Sequence, residues 1–307
     1  MPKNIFFESF RRLHPFSKLL IMFLIAIISS FIFSIIGIFI TFSLGWGDLS
    51  SLLQITDFKN IDVRIIKLLQ IFQSIGLFII PGFVMMYFFT DNSPNVFKTN
   101  RKIFIFFFGF GVLVLFISMP GINFIYELNK NFAFPDSMQG LAQTLKDQEK
   151  ELENLTKLFL KTDSVEGLLV NLLMIGIIPA IGEEFFFRGA IQRLFQDWFK
   201  NSHTAILVSA VIFSAFHLQF YGFFPRIVLG IMLGYSFLYS GTIWIPVVLH
   251  FINNSMIVLV YYIFPENISE NIETVGSNSV VIGCLSLGLL TVGLYLWSRY
   301  SRLSSSA

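Results

Sequence analysis

Charged residues are scarce in this chain. Asp, Glu, Lys and Arg form 13% of its 307 residues, whereas soluble domains usually carry roughly 25%. Hydrophobic residues form 55%, and 39 of them are phenylalanine. This composition excludes an ordinary soluble domain and predicts an integral membrane protein. The formal net charge is only +2, so we expect the lipid bilayer as a partner and no nucleic acid.

Cysteine is nearly absent as well. The single residue, Cys284, lies in an apolar run near the C-terminus, which excludes an intramolecular disulfide and a cysteine-rich metal site. We expect it to be a small buried hydrophobic side chain. A cleavable signal peptide is not expected, because the basic N-terminus leads into an apolar run much longer than the core of a signal peptide.

Long apolar runs, by contrast, are abundant. A helix needs about 20 apolar residues to cross a bilayer, and eight windows of that kind occur along the chain. They predict an all-α fold, a polytopic transmembrane helix bundle of about eight spans. The windows run approximately over 18–44, 64–89, 103–125, 166–197, 203–220, 224–241, 243–264 and 279–298.

The distribution of basic residues predicts the orientation of these spans. Lys and Arg in the flanks of spans favour the cytoplasmic side. With the N-terminus inside, most of the 21 basic residues flank the inner ends of the windows, and most of the 19 acidic residues fall outside. We therefore predict eight spans with both termini cytoplasmic, with six or seven spans as the alternative.

One stretch, residues 126–164, has the composition of a soluble segment. Phe134-Pro135-Asp136-Ser137 is a helix-start signal, and a run rich in Lys, Glu and Gln follows it. Leucines recur through this run at helical spacing. The pattern predicts an extracytoplasmic amphipathic helix, which is either a solvated connector or a lid over the outer mouth.

Three ionisable residues interrupt the fourth window: Glu183, Glu184 and Arg188. Each costs roughly 3 kcal/mol at the centre of an inserted helix, whereas a Leu, Ile, Phe or Val returns only about 0.5 kcal/mol. The segment therefore needs polar partners or a polar cavity. Glu184 and Arg188 are four residues apart and can form an ion pair on one face, while Glu183 points about 100° away and is left out of that pair.

Polar residues of neighbouring windows lie at a matching depth. His217 belongs to the fifth window, and His250 with Asn254 to the seventh. At about 1.5 Å per residue, Glu183 lies roughly 21 Å from the inner end of its helix, and His217 lies equally far from the inner start of its own. The coincidence predicts one enclosed intramembrane polar site to which three helices contribute.

Two hydrolytic interpretations fit these residue types. In the first, Glu183 is a general base for water, His217 orients that water, and His250 with Asn254 donates hydrogen bonds to a developing oxyanion. In the second, Glu184, His217 and His250 hold Zn²⁺ with an open fourth position, and Glu183 serves as base. The spacing is neither His-Glu-x-x-His nor its inverted form, so the second rests on residue type alone.

Two functions without hydrolysis also fit. The polar cluster can belong to a non-catalytic binding or scaffold protein, such as an immunity factor, in which it recognises a partner without turnover. It can also be the proton relay of a small transporter, with Pro179 and Pro246 as helix breaks near the site. Transporters of that kind have internal repeats, and the absence of a repeat in this sequence counts against this function.

The polar residues together resemble the motifs of the CPBP family of intramembrane proteases. That family includes type II CAAX prenyl endopeptidases, bacteriocin-processing enzymes and abortive-infection-like proteins. Its pattern is Glu-Glu-x-x-x-Arg, then Phe-x-x-x-His, then His-x-x-x-Asn. The chain has Glu183-Glu184-x-x-x-Arg188, Phe213-x-x-x-His217 and His250-x-x-x-Asn254 in that order, and the resemblance covers about residues 166–260.

The resemblance implies an α-helical membrane endopeptidase. Glu183 would activate water, His217 would assist it, and His250 with Asn254 would support the oxyanion, while Glu184 and Arg188 would shape the site. Metal-dependent and glutamate-type, metal-free mechanisms are both argued for the family. The implied division of the chain is 1–125 N-terminal transmembrane helices, 126–164 outer loop, 165–264 catalytic membrane domain, and 265–307 last span with a cytoplasmic tail.

The substrate that the resemblance implies is a membrane-associated peptide or protein. Eukaryotic members of the family remove the last three residues of prenylated proteins, and bacterial members are linked to bacteriocin maturation, self-immunity and protein sorting. The many Phe, Ile, Asn and Lys residues suggest an AT-rich bacterial genome. We therefore expect a bacterial cytoplasmic membrane, and we do not expect a prenylated substrate.

Overall fold

The computed structural model describes residues 9–47, 62–88, 96–265 and 279–305. Within these ranges the regular elements are helices and no strand occurs. In chain order they are α1 (Pro15–Ser43), α2 (Val63–Phe88), α3 (Arg101–Lys130), α4 (Gln139–Leu160), α5 (Val165–Phe199), α6 (Ser202–Ala215), α7 (Phe223–Ser240), α8 (Trp244–Ile263) and α9 (Val280–Ser305).

Seven of these helices are long and apolar enough to cross a membrane, judged by length and composition. They are α1, α2, α3, α5, α7, α8 and α9. Large apolar side chains point outward from them, as on α1, where Ile27 and Phe31 are 66% and 67% exposed. Because such side chains favour lipid over water, the predicted polytopic helical membrane bundle is confirmed.

The fifth predicted window differs most from the helix that the structure has in its place. Instead of a helix over 203–220, α6 ends at Ala215, so it is only about 21 Å long, shorter than the roughly 30 Å hydrocarbon core. The chain turns after it, where Leu218 has a left-handed backbone with φ of 54°. His217 therefore lies in a turn and not on a helix, although the apolar composition continues through it.

The third helix is longer than its window. It continues past residue 125 to Lys130, so the division predicted at 125/126 falls inside α3. Its last turn is fixed by Asn129, whose side-chain amide donates to the carbonyls of Phe220 and Tyr221 at 2.6 and 2.9 Å. These bonds join the end of α3 to the turn between α6 and α7.

The amphipathic helix expected in the outer segment is present as α4. A short 3-10 turn, Asp136–Met138, precedes it where the helix-start signal lies. The helix contacts α2 and α8. Its C-terminal end is held by a relay in which Lys67 Nζ donates to the side chain of Asn171 at 2.7 Å, and Asn171 donates to the carbonyl of Leu160 at 3.2 Å.

The core around α5 is aromatic and closely packed. Phe186 and Phe187 are fully buried in a cluster that also includes Met22 of α1 and Met85 of α2. Gly82 lets α2 approach α5, because a Cβ at this position would lie 2.7 Å from the backbone of Phe185 and Phe186. The absence of a side chain at one position thus sets the distance between two helices.

A second core joins α9 to the bundle. Trp297 of α9 is fully buried and stacks at 6.0 Å on Phe107 of α3, and Ser286 donates to the carbonyl of Ile117 at 2.5 Å. The face of α9 that includes Gly283 packs on α3. Cys284 lies one residue further round the helix and is exposed, so the expectation that it is buried is wrong.

Candidate active site

The central helix of the site, α5, is not regular. Two π-helical segments, Leu172–Ile177 and Phe185–Gln192, flank an α-helical stretch that runs from Ile178 to Glu184. Segments with π geometry change the phase of a helix face and recur at functional sites. Glu183 and Glu184 end the α-helical stretch, so their side chains project from the point where the helix widens.

Pro179 and Asn254 together account for one helix-to-helix contact at the site. A proline has no N–H to give to the carbonyl four residues before it, which here is that of Ile175. The side-chain amide of Asn254 donates to this carbonyl at 3.1 Å. A side-chain amide has two N–H groups, so this contact leaves the second available to the cavity.

Glu184 is the centre of a buried ion network. Its Oε1 accepts from Arg188 Nη1 at 2.7 Å and from His250 Nδ1 at 2.8 Å. The side chains of Glu184, Arg188 and His250 are 0%, 1% and 4% exposed. The expected Glu184–Arg188 ion pair is therefore present, and it also fixes the ring of His250 on α8.

Arg188 also fastens α5 to α7. Its Nη2 donates to the carbonyl of Gly230 at 3.0 Å, and Gln192, one turn later, donates to the carbonyl of Gly234 at 3.1 Å. The guanidinium carbon lies 4.9 Å from the ring centre of Phe213, a cation–π contact. Carboxylate, carbonyl and ring together compensate the buried charge of Arg188.

Glu183 has different surroundings from its neighbour. Its side chain is 12% exposed, and its Oε2 lies 3.8 Å from Nε2 of His250, too far for a hydrogen bond. Among the described residues this buried oxygen has no hydrogen-bond partner. A buried carboxylate oxygen costs free energy unless it is bonded, so this position favours a water or a substrate group.

His217 is oriented by its own helix end. Its Nδ1 lies 2.9 Å from the carbonyl of Phe213, and because a carbonyl only accepts, Nδ1 carries the proton and the neutral ring presents a lone pair at Nε2. The ring of Phe213 lies edge-to-face with both histidines, 5.0 Å from His217 and 5.9 Å from His250. Phe213 thus fixes both rings.

All four residues predicted to be catalytic line one cavity of about 270 Å³. Glu183 comes from α5, His217 from the turn after α6, and His250 and Asn254 from α8. Glu184 and Arg188 are not among the residues that line this cavity. The predicted convergence is therefore present, and the catalytic roles stay predictions.

The cavity has further polar residues that the sequence interpretation missed. Arg226, Gln219 and Asn253 line it, together with Tyr126 of α3. Arg226 was the detectable one, since it is an isolated cation inside the sixth apolar window, 224–241. Basic residues near the end of a span are commonly interfacial, so this signal is weak by itself.

The three proposed zinc ligands are not arranged as a ligand set. Glu184 Oε1 is bonded to both Arg188 and His250 Nδ1, so two of the donors face each other and a guanidinium adjoins them. Within the ranges that the structure describes, no group of three or more His, Cys, Asp or Glu side chains is placed to hold a metal ion. The residues present therefore do not fit a Glu184–His217–His250 zinc site.

Fold and site together define a polytopic α-helical membrane protein with a polar cavity enclosed in its bundle. Residues 165–256 match the family model described as type II CAAX prenyl endopeptidase Rce1-like. This segment is the one that contributes every predicted site residue. No curated protein and no solved structure matches the chain.

The match covers less than a third of the chain. At the level of the family this match supports a CAAX/CPBP-type intramembrane protease, hence a hydrolase that acts on a peptide or protein substrate. The resemblance to the CPBP family that the three motifs indicated is confirmed by this match.

Proposed function

We propose that this protein is an intramembrane endopeptidase in which Glu183 activates water for attack on a peptide bond. The observation that carries the proposal is the contrast between two adjacent carboxylates. Glu184 is bonded through Oε1 to Arg188 and His250 and does not line the cavity, whereas Glu183 lines it with an oxygen that has no hydrogen-bond partner among the described residues. A general base needs an accessible oxygen.

The proton transfers follow from this geometry. The Glu183 carboxylate takes a proton from water, the resulting hydroxide bonds to the carbonyl carbon, and the C–N bond breaks as Glu183 returns the proton to the leaving amine. His217 presents the lone pair of Nε2 to the cavity, since its Nδ1–H donates to Phe213. This lone pair accepts the second hydrogen of the water and orients it.

Oxyanion support comes from α8. When His250 carries protons on both nitrogens, Nδ1–H donates to Glu184 at 2.8 Å, and Nε2–H is left to face the cavity beside Glu183. The second N–H of Asn254 is the other donor. Glu184 holds the His250 ring in place, and donors held in this way before reaction stabilise charge that develops on the carbonyl oxygen.

The substrate in this proposal is a peptide or a membrane-protein segment that reaches the cavity from within the bilayer or from its outer face. We place the protein in a bacterial cytoplasmic membrane with both termini inside, which requires the short helix α6 to cross as well as the seven longer ones. The mechanism proposed is of the glutamate type, because Glu184 is occupied by Arg188 and His250.

Comparison of peptide termini in cells tests the proposal. Wild type and Glu183→Ala are expressed at matched levels in membranes, and protein termini are compared by mass spectrometry. We expect a set of termini that disappears with Glu183→Ala and persists with Glu166→Ala, an exposed glutamate in the first turn of the same helix. If no terminus depends on Glu183 while the protein's phenotype survives the mutation, the non-catalytic scaffold is correct instead.

Metal dependence has its own test. We expect purified protein to keep its Glu183-dependent cleavage after treatment with a strong chelator and to contain less than stoichiometric zinc. Elemental analysis of wild type, His217→Ala and His250→Ala measures this. Stoichiometric zinc that both substitutions remove would contradict the metal-free mechanism.

A further inference from the structure

A second group of polar side chains, on α7 and the turn before it, lines the same cavity as Glu183. Arg226, in the first turn of α7, donates through Nη2 to the side-chain carbonyl of Gln219. The amide nitrogen of Gln219 in turn donates to Glu149 Oε1 of α4 at 3.3 Å. Both Arg226 and Gln219 line the cavity, so this relay links the site to the outer helix.

Gly222 provides the space in which the guanidinium rests. A Cβ at this position would lie 2.3 Å from Nη1 of Arg226 and 2.6 Å from its Cζ. The backbone of Gly222 has φ of −82°, which any residue adopts. The contact with Arg226 is therefore what a side chain at residue 222 would disturb, and Gly222→Ala would displace the guanidinium without changing its charge.

A polar vestibule of about 620 Å³ adjoins the relay. It is formed by the end of α3, by α4 and by Tyr221, and it shares Tyr126 with the catalytic cavity. Four lysines and two glutamates line it: Lys130, Lys146, Lys150, Lys157, Glu149 and Glu153. The lining has a cationic excess, and Arg226 lines the catalytic cavity with which the vestibule shares Tyr126.

We infer that Arg226 is a specificity-determining residue that binds a carboxylate of the substrate. The inference rests on the proposed function, because it names what the same site recognises. The planar guanidinium fits a carboxylate with two parallel hydrogen bonds. On binding, the substrate carboxylate takes the place of the Gln219 amide, and the lysines of the vestibule favour its approach by charge.

The contrast with Arg188 supports this assignment. Arg188 is 1% exposed and bonded to a carboxylate and a backbone carbonyl, the surroundings of a structural cation. Arg226 is only half-buried, lines the cavity, and donates to a neutral amide that itself bridges to α4. A neutral amide is a weaker acceptor for a cation than a carboxylate, so a substrate carboxylate can replace it.

The carboxylate has two sources in a peptide, the C-terminus and an acidic side chain. The probe is therefore a set of short apolar peptides of one sequence in three forms: free C-terminal acid, C-terminal amide, and amide with one internal Asp. Binding is measured to the full chain with Glu183→Gln, in lipid nanodiscs, so that turnover does not interfere.

We expect at least one carboxylate form to bind about tenfold to a hundredfold tighter than the neutral amide, the range of a charge-assisted hydrogen bond. The peptide form that binds more tightly shows whether the carboxylate is the C-terminus or an acidic side chain. Arg226→Gln and Gly222→Ala should remove the difference, and Arg226→Lys should keep part of it. Arg64→Gln, which removes an exposed guanidinium paired with Asp62 far along the chain, should leave it intact.

The result that overturns the inference is equal affinity for all three forms, or a preference that survives Arg226→Gln. Cleavage of the same peptides by the chain with Glu183 intact separates this outcome from failure of the proposed function. Glu183-dependent cleavage without an Arg226-dependent preference retains the protease and removes the inference. An Arg226-dependent binding preference without cleavage retains the inference about Arg226 and removes the protease.

Discussion

Two adjacent glutamates acquire opposite chemistry from the helix that carries them. One residue rotates a side chain by about 100°, so Glu184 faces Arg188 and His250 while Glu183 faces the cavity. The first carboxylate is held through Oε1 by Arg188 and His250 outside the cavity lining, and the second lines the cavity. The two glutamates differ in their surroundings because they point in different directions from the helix and because Arg188 lies four residues after Glu184.

The buried ion pair makes a prediction about stability. Arg188→Met removes the cation and leaves the Glu184 carboxylate buried with His250 as its remaining partner, so we expect a loss of about 3 to 5 kcal/mol in the free energy of unfolding. The double variant Arg188→Met with Glu184→Gln should recover part of it, because no lone charge remains. Reversible denaturation of the purified chain measures both, and an unaltered stability in Arg188→Met would contradict the assigned role.

The residues that carry motifs could be predicted from the sequence, and those between motifs could not. Glu183, His217 and His250 are polar groups in apolar windows, where each is costly and so informative. Gln219 lies just beyond the end of α6, where a polar side chain is inexpensive. Its importance comes from the contacts with Arg226 and Glu149, which no spacing rule contains.

At the scale of elements, hydropathy predicted which segments are helices better than where they end. The window at 203–220 continues through Phe216 and Phe220, which are as apolar as the helix before them, so its polar residues did not by themselves locate the turn at His217. The π-helical segments of α5 were equally invisible, because an apolar helix offers similar side chains in either phase. Both features set the direction in which the site residues project.

Close helix contacts lead to a prediction for α2 and α5. Gly82→Ala places a Cβ 2.7 Å from backbone atoms of α5, so one helix must shift, and overpacking of this kind costs about 1 to 3 kcal/mol. Gly109→Ala in α3 is the matched control, because a Cβ there meets nothing within 4 Å and helix propensity favours alanine. Thermal unfolding in detergent should show a lower midpoint for Gly82→Ala only. Equal midpoints would contradict the packing described.

At the scale of the whole molecule, orientation is the property that the basic flanks predict. The single cysteine makes a labelling test simple: in a Cys284→Ser background, Lys146→Cys on α4 and Lys98→Cys before α3 each introduce one exposed thiol. We expect a membrane-impermeant maleimide to label residue 146 in intact cells and residue 98 only after permeabilisation. The opposite pattern would invert the proposed topology.

The whole-molecule fold was predictable in class because membrane helices follow from composition and length. The packing of α4 near the site was predictable only as a choice between connector and lid. Its contact with Gln219 through Glu149 joins two segments that are 70 residues apart, and nothing in local composition selects that pairing. The helices and the motifs could therefore be predicted from the sequence, whereas the contact between Gln219 and Glu149 was visible only in the structure.

The central claim is that Glu183 is the base of a peptide hydrolase, and one measurement tests it most directly. Full-length protein in proteoliposomes is incubated with a peptide that spans a Glu183-dependent terminus found in cells, and product is measured by mass spectrometry. Wild type and Glu166→Gln should cleave it, while Glu183→Gln should be slower by about a hundredfold or more with the same unfolding midpoint. Undiminished cleavage by folded Glu183→Gln would contradict the account.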